Sequence, residues 1–457
     1  MEPFSFTRIA PMAALIERLF RVRASGSTPG REVLGGLTTF LTMAYIIAVN
    51  PVFLTTAGMP LEGAIVATCL AAAFATLLMA FLANYPIALA PGMGMNAFFA
   101  YTICLGAKVP WPTALGLVFW SGVLFVLLTL TGARALIVRA VPRVITLAGA
   151  VGIGLFIAFI GLQQGGLLKA DPHTLVTLGD LGARPALLTL FGLGLTLALA
   201  AAGVTTAIFW GLAGTLTAGL LSGVIARPAA IFRAPSLDLP GLRIDLLGAL
   251  QLRYLPLILV MLFFALFDTL GTLMAIAHQA GFLRRGGEGE REELPRMGRA
   301  LAADAAGMVG GALFGTSAVT SYIESGAGVG VGARTGLANV VTAALLLLSL
   351  FVSPLIEMVG RAAGPGLNPV TAPALIMVGT IMVRAVREID WEDLTEAAPA
   401  FFIAILMPLT FNITHGLAAG IVIYVVVKVA ARRWREVHWL MYGLAALCVL
   451  RYALLPL

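Results

Sequence analysis

The sequence predicts an all-α polytopic membrane protein with 14 transmembrane segments in two inverted repeats of seven. Three observations carry that prediction. Of the 457 residues, 60% are hydrophobic and only 11% charged, against roughly 25% charged in soluble domains. The apolar runs hold a dozen or more helices at about 20 residues per span. Two short, glycine-interrupted stretches, Ala88 to Thr102 and Gly315 to Gly336, occupy corresponding places in the two halves. An odd number of spans per half gives the halves opposite orientations.

The segments follow in order. The first lies at about Val33 to Val49, in GGLTTFLTMAYIIAVNP, and the second at about 62–83. The third is ALAPGMGMNAFFAYT, broken by Pro91, Gly92 and Gly94. The fourth covers about 112–132, the fifth begins after Pro142, and the sixth and seventh fill about 185–201 and 205–225. The eighth, about 254–280, contains FFALFDTLGTLMAIAHQAG, and the ninth, about 299–314, carries Asp304 near its start. GTSAVTSYIESGAGVGVGARTG forms the short tenth. The eleventh lies at about 335–356 and the twelfth at about 369–386, where Pro369 mirrors Pro142. The thirteenth and fourteenth occupy about 397–413 and 415–430, and a last apolar run covers 438–457.

The net charge of +7 reports orientation rather than a polyanion partner, because Lys and Arg cluster in alternate loops. With the N-terminus in the cytosol, Arg134, Arg139, Arg143, Arg284, Arg285, Arg291, Arg296 and Arg299 fall inside. So do Arg384, Arg387, Lys428, Arg432, Arg433 and Arg435. Arg227, Arg233, Arg243 and Arg253 fall outside and are the poor fit; the balance puts both termini in the cytosol. Residues 9–24 read as a basic amphipathic helix on the inner face, with no cleavable signal peptide. Cys69, Cys104 and Cys448 lie in apolar segments without metal spacing and read as buried thiols.

Acids inside spans are few, and such residues mark solute or ion pathways. Asp268 lies mid-span in segment eight with Thr272 one turn on, on the same face. Glu324 lies in broken segment ten and Asn96 in broken segment three. Segments three and ten meeting near the midplane bring Asn96, Asp268, Thr272 and Glu324 to one cavity. A carboxylate there accepts two N–H donors of a flat heterocycle, Asn matches an amide-like edge, and half-helix N-termini offer backbone N–H groups. Asp268 and Glu324 close together are also candidates to take up and release a proton. Each residue has a plainer alternative. Glu324 is also readable as a cap on a neighbouring helix, Asn96 as a helix–helix hydrogen bond and Thr272 as bonded back to its own helix. Asp304 reads as a helix N-terminal or interdomain contact, and Phe98 and Phe99 as packing rather than stacking.

GGLTTFLTMAYIIAVNP, APGMGMNAFFAYT, FDTLGTL and GTSAVTSYIESGAGVGVGARTGL resemble the motifs of the azaguanine-type purine permeases of the nucleobase–cation symporter (nucleobase–ascorbate transporter) superfamily, over about residues 15 to 455. The resemblance implies short β-strands before the half-helices of segments three and ten. It also implies a core domain of 33–132 and 254–357, a gate domain of 133–253 and 358–431, an N-terminal cytosolic segment of 1–32 and an apolar tail of 432–457. Asp268 and Glu324 match the family's substrate-binding acids and Asn96 its polar residue in segment three. Thr272 falls where other branches carry His or an acid, and Ala97 and Ser325 adjoin matched positions. The expectation is a multi-pass plasma (inner) membrane importer of hypoxanthine, guanine or adenine, with protons as coupling ion and no cofactor. Its partners are the base and membrane lipid, not nucleic acid, and a homodimer is compatible with it.

Two rivals compete. An anion or other small-solute transporter on the same architecture is opposed by two acids at the site. An enzyme is opposed by the missing lysine after the aspartate of DTLGT and by the lack of a nucleotide domain, a Ser/His dyad or a P-loop.

Overall fold

A computed structural model describes residues 9–132, 141–228, 230–235, 238–283, 294–360, 363–364 and 366–454. Arg134, Arg139, Arg284, Arg285 and Arg291, counted above for orientation, lie outside these residues.

The chain is almost wholly helical. Helix α1 (Ile9–Phe20) leads to Phe20 and Val22, which pack on Ala80 and Leu337. Helix α2 (Pro29–Met43) starts where Thr28 caps the Arg31 N–H. The first span runs on through an irregular turn at Ala44 and Tyr45, both in the right-handed helical region, into α3 (Ile46–Thr56), so that Pro29–Thr56 is one helical stretch. Helix α4 (Leu61–Leu78) widens into π-helical turns to Ala83, and Asn84, at φ +53°, reverses the chain. Strand β1 (Leu89–Pro91) and helix α5 (Met93–Ala97) follow, and π-helical turns carry the latter to Gly106.

Next come α6 (Trp111–Thr131), α7 (Arg143–Gln164), the hairpin of β2 (Leu168–Asp171) and β3 (Leu175–Leu178), α8 (Arg184–Ala201) and α9 (Ala207–Leu221). The second half repeats the plan. Helices α10 (Leu255–Ala280) and α11 (Met297–Phe314) precede β4 (Val319–Ser321) and the six-residue α12 (Ser325–Gly330). Then follow α13 (Gly336–Ser349), α14 (Ser353–Gly360), α15 (Ala372–Met382), α16 (Leu394–Leu409), α17 (Ile413–Ala430) and α18 (Trp439–Leu454).

Eight helical stretches of the described chain are long and apolar enough to cross a membrane, and four shorter apolar helices accompany them. The longest of the eight covers Leu252–Ala280. Most of these helices are apolar on every face, as helices between lipid and a protein interior can be; α2, with Arg31, Glu32, Thr38, Thr39 and Thr42, is an exception. Helix α11 packs on α4 and α6, α2 on α12 and α13, and α7 on α15 and α16.

Strands β1 and β4 pair antiparallel, with Leu89 opposite Ser321, Ala90 opposite Thr320 and Pro91 opposite Val319. All six residues are buried. Extended chain inside an apolar fold needs partners for its N–H and C=O groups. The strands supply part of them to each other across some 230 residues of sequence, and the Thr76 hydroxyl serves both the N–H and the C=O of Leu89 at 3.0 Å.

Candidate functional site

The strand pair fixes the site. Gly92 N–H donates to Ala318 O at 3.0 Å and Tyr322 N–H to Ala88 O at 3.0 Å, so the pairing extends to the start of both short helices. The crossing is close: a Cβ on Gly92 would lie 2.6 Å from Thr320 Oγ1, so only glycine passes there. Tyr322 Oη donates to Pro91 O at 2.6 Å and Ser325 Oγ accepts from Ala88 N–H at 2.9 Å. Helices α5 and α12 therefore begin beside one another; in α12 the N–H groups of Ser325, Gly326 and Ala327 donate to the carbonyls of Tyr322, Ile323 and Glu324 at 3.1, 2.9 and 3.0 Å.

Two acids face this crossing. Asp268 lies at the middle of α10 and its side chain is exposed. It lies beside Thr320 of β4 and in electrostatic range of Glu324, Tyr322 and Asp304. Of those neighbours Thr320, Tyr322 and Asp304 are buried. Glu324 directly precedes α12 and is half-buried. Its Oε1 accepts a 2.6 Å hydrogen bond from Tyr45 Oη, and its carbonyl accepts one of 3.3 Å from Thr42 Oγ1.

The other residues singled out from the sequence are placed differently. Thr272 is only 8% exposed, and Ala97 and Ser325 are buried. Asn96 is sealed at 0% exposure, and its Oδ1 accepts a 2.5 Å bond from Ser317 Oγ. Asn50 Nδ2 donates to Thr68 and Thr316 at 2.7 and 2.8 Å, and Ser317 Oγ also reaches Asn50 Oδ1 at 3.4 Å. Asn96 thus belongs to a buried polar cluster joining α3, α4, α5 and the chain before β4. The structure brings Asp268 and Glu324 together; it puts Asn96 behind them, against Ser317. Phe98 and Phe99 are buried, with Phe98 tilted on Phe264 at 6.0 Å, which is packing.

Asp304 differs from its sequence reading. Helix α11 begins at Met297, so Asp304 lies mid-helix, fully buried, rather than at a terminus. Its carboxyl accepts from Thr269 Oγ1 at 2.6 Å and Ser321 Oγ at 3.0 Å, tying α10 to β4 next to Asp268. Tyr45 and Thr42 were not singled out at all. The signal available for them was positional: both follow GGLTTF in the stretch whose glycines prepare a close helix contact.

A cavity of about 440 Å³ lies elsewhere, where Tyr101 to Ala107 face Thr410 to His415, and none of the six sequence-selected residues lines it. Tyr101 packs on Phe53, Phe156 and Phe411 with ring centres 6.0, 6.0 and 5.5 Å apart. Among the described residues no group of three His, Cys, Asp or Glu is placed to hold a metal ion.

Residues 30–419 match the permease family. The chain belongs to the permease family. Near-full-length relatives agree. This permease is 48% identical over 441 residues to a protein of Methanocaldococcus jannaschii whose name carries no substrate, covering 96% of this chain and 98% of that one. It is 43% identical over 452 residues to the guanine/hypoxanthine permease PbuG of Bacillus subtilis, covering 96% and 100%. It is 38% identical over 437 residues to the adenine permease AdeP of Escherichia coli, covering 96% of each. Among solved structures, the transmembrane domain of the cyanobacterial bicarbonate transporter BicA superposes with TM-score 0.60 at 18% identity, covering 86% of this chain and 97% of that one. SLC26A9 superposes with TM-score 0.63 at 10% identity, covering 93% and 70%. At such identities the likeness concerns the fold alone. The permease is thus a mostly helical multi-pass membrane transporter with that fold, and not an enzyme.

Proposed function

We propose that this permease carries purine nucleobases (guanine, hypoxanthine or adenine) together with protons, by alternating access. The observation that carries the proposal is the pair of carboxylates, Asp268 and Glu324, facing one cleft beside the N-termini of two broken helices. A purine presents adjacent N–H donors, which a carboxylate accepts, and carbonyl or ring-nitrogen acceptors, which backbone N–H groups at the start of α5 would satisfy. Near-full-length relatives named for guanine, hypoxanthine and adenine support the same substrate class.

In this reading Glu324 grips the base, Asp268 shares binding and proton coupling with it, and Thr272 lines the wall at one helical turn from Asp268. Asn96, with Ala97 and Ser325, holds the two broken segments in register behind the base. The 14 segments form two inverted repeats, with both termini in the cytosol of the cell membrane. The core, 33–132 and 254–357, moves against the gate, 133–253 and 358–431. In this division the aromatic contacts of Tyr101 with Phe53, Phe156 and Phe411 would be one place where core meets gate.

Proteoliposomes containing the permease are expected to accumulate labelled hypoxanthine or guanine under an inward proton gradient, and Glu324→Ala to abolish this. Undiminished uptake by Glu324→Ala would remove the site assignment. Concentrative uptake that survives a protonophore would remove the coupling. Competition by bicarbonate or chloride instead of purines would favour an anion transporter on this fold.

A further inference from the structure

Helix α2 is fastened along its whole length to the segment that carries Glu324. At one end the Glu32 carboxylate accepts the N–H groups of Arg334 and Thr335 at 2.9 and 3.2 Å. In the middle the helices touch through glycine. A Cβ on Gly328 would lie 2.2 Å from Thr39 Oγ1 and 2.5 Å from Gly35 O, and one on Gly35 would lie 2.5 Å from Ala333 Cβ. At the other end, where α2 gives way to α3, Thr42 and Tyr45 meet Glu324 itself. Tyr45 is 2% exposed, so its hydroxyl has no water to return to, and its acceptor is the Glu324 carboxylate at 2.6 Å.

We infer that Tyr45 is a positioning residue of the solute site, whose hydroxyl fixes one oxygen of Glu324 and leaves the remaining lone pairs of that carboxylate to the solute. The inference rests on the proposed role of Glu324. Thr42 and Tyr45 lie three residues apart, on one face of the helical run from α2 into α3, and that face is turned toward Glu324. The phenol also favours the charged carboxylate, because a hydrogen bond to an ionised acceptor is about twice as strong as one to a neutral acceptor. The other titratable groups facing Glu324 are Asp268 from α10 and Tyr322 from its own segment; Asp304 of α11 lies beyond Asp268. None of these donates to Oε1.

The test is equilibrium binding of labelled hypoxanthine to purified permease between about pH 5 and pH 8, a range that spans shifted carboxyl groups. Binding to an ionised Glu324 weakens on the acid side. Tyr45→Phe should raise the Kd at neutral pH by about three- to tenfold and move the acid limb up by about one pH unit. A fluorinated tyrosine at position 45, a more acidic and hence stronger donor, should move that limb down. A purely structural role for Tyr45 would lower thermal stability and leave the pH midpoint alone. Unchanged Kd and midpoint in Tyr45→Phe, with binding abolished by Glu324→Gln, would overturn the inference and leave the site reading standing. Wild-type binding by Glu324→Gln would overturn both. Should Tyr45→Phe not fold, an unmoved limb with the fluorinated tyrosine overturns the inference alone.

Discussion

The two broken segments share one design and differ in what they expose. Residues 88–106 run from β1 into a long, π-turned half-helix, and their polar side chain, Asn96, is sealed against Ser317. Residues 315–330 run from β4 into a helix of only six residues, with Glu324 half-buried and Ile323 exposed. One segment is closed by a buried amide network; the other offers a carboxylate to a cleft. The pairing of β1 with β4 makes both possible. Each strand satisfies part of the other's backbone, so neither half-helix has to be long to be stable. The lesson is that matching positions in two similar substructures need not share a role. In the proposed reading one half acts as latch and the other as grip.

Asp268→Asn should cut concentrative purine uptake about 10- to 100-fold, the value of one charge-assisted hydrogen bond; uptake within twofold of wild type would take Asp268 out of the grip. Gly328→Ala should lower thermal stability by about 1–3 kcal/mol, the usual cost of overpacking, because its Cβ has no room against Thr39 and Gly35. Gly271→Ala, on α10 with nothing within 4 Å of the new Cβ, should leave stability unchanged. Equal melting temperatures for the two variants would break the argument that α2 holds the Glu324 segment by close contact.

The smallest effect lies at the helix ends away from the site. Asp393 caps α16, and Lys428 of α17, 2% exposed, bonds to Glu396 and Glu436 at 3.0 and 2.9 Å. The hydroxyl and N–H of Thr395, with the Arg433 guanidinium, hold the Asp393 carboxyl down at about 2. Its unfolded value is about 3.9, so its contribution to stability is complete above that pH and is lost as pH falls toward 2. Melting curves of wild type and Asp393→Ala should differ by a constant few degrees at neutral pH, and the gap should close below about pH 4. A gap that widens on acidification would contradict this.

Much of the fold was legible because membrane spans announce themselves by length and hydropathy, and because glycine and proline interrupt only where a chain must break. The acids were legible for the same reason: Asp268 and Glu324 stand out in apolar runs. What was hidden is which face each helix turns inward. A helix apolar all round carries no amphipathic period to say so, so Tyr45 looked like one more aromatic in segment one. Asp304 was misread for a related reason. Its helix starts at Met297, two residues before the expected start, and its partners Thr269 and Ser321 are 35 and 17 residues away in sequence. Asn96 was expected at the solute cavity; in the structure it is sealed, with its amide spent on Ser317 Oγ and Met93 Sδ.

The division into latch and grip is tested most directly by measuring equilibrium binding of labelled hypoxanthine to two purified variants side by side. Glu324→Gln should lose binding by about 100-fold or more, since it forfeits two charge-assisted hydrogen bonds. Asn96→Ala should keep its affinity within about tenfold while melting at a lower temperature, since it leaves Ser317 with only its longer bond to Asn50. Binding retained by Glu324→Gln and lost by a well-folded Asn96→Ala would reverse the roles of the two segments.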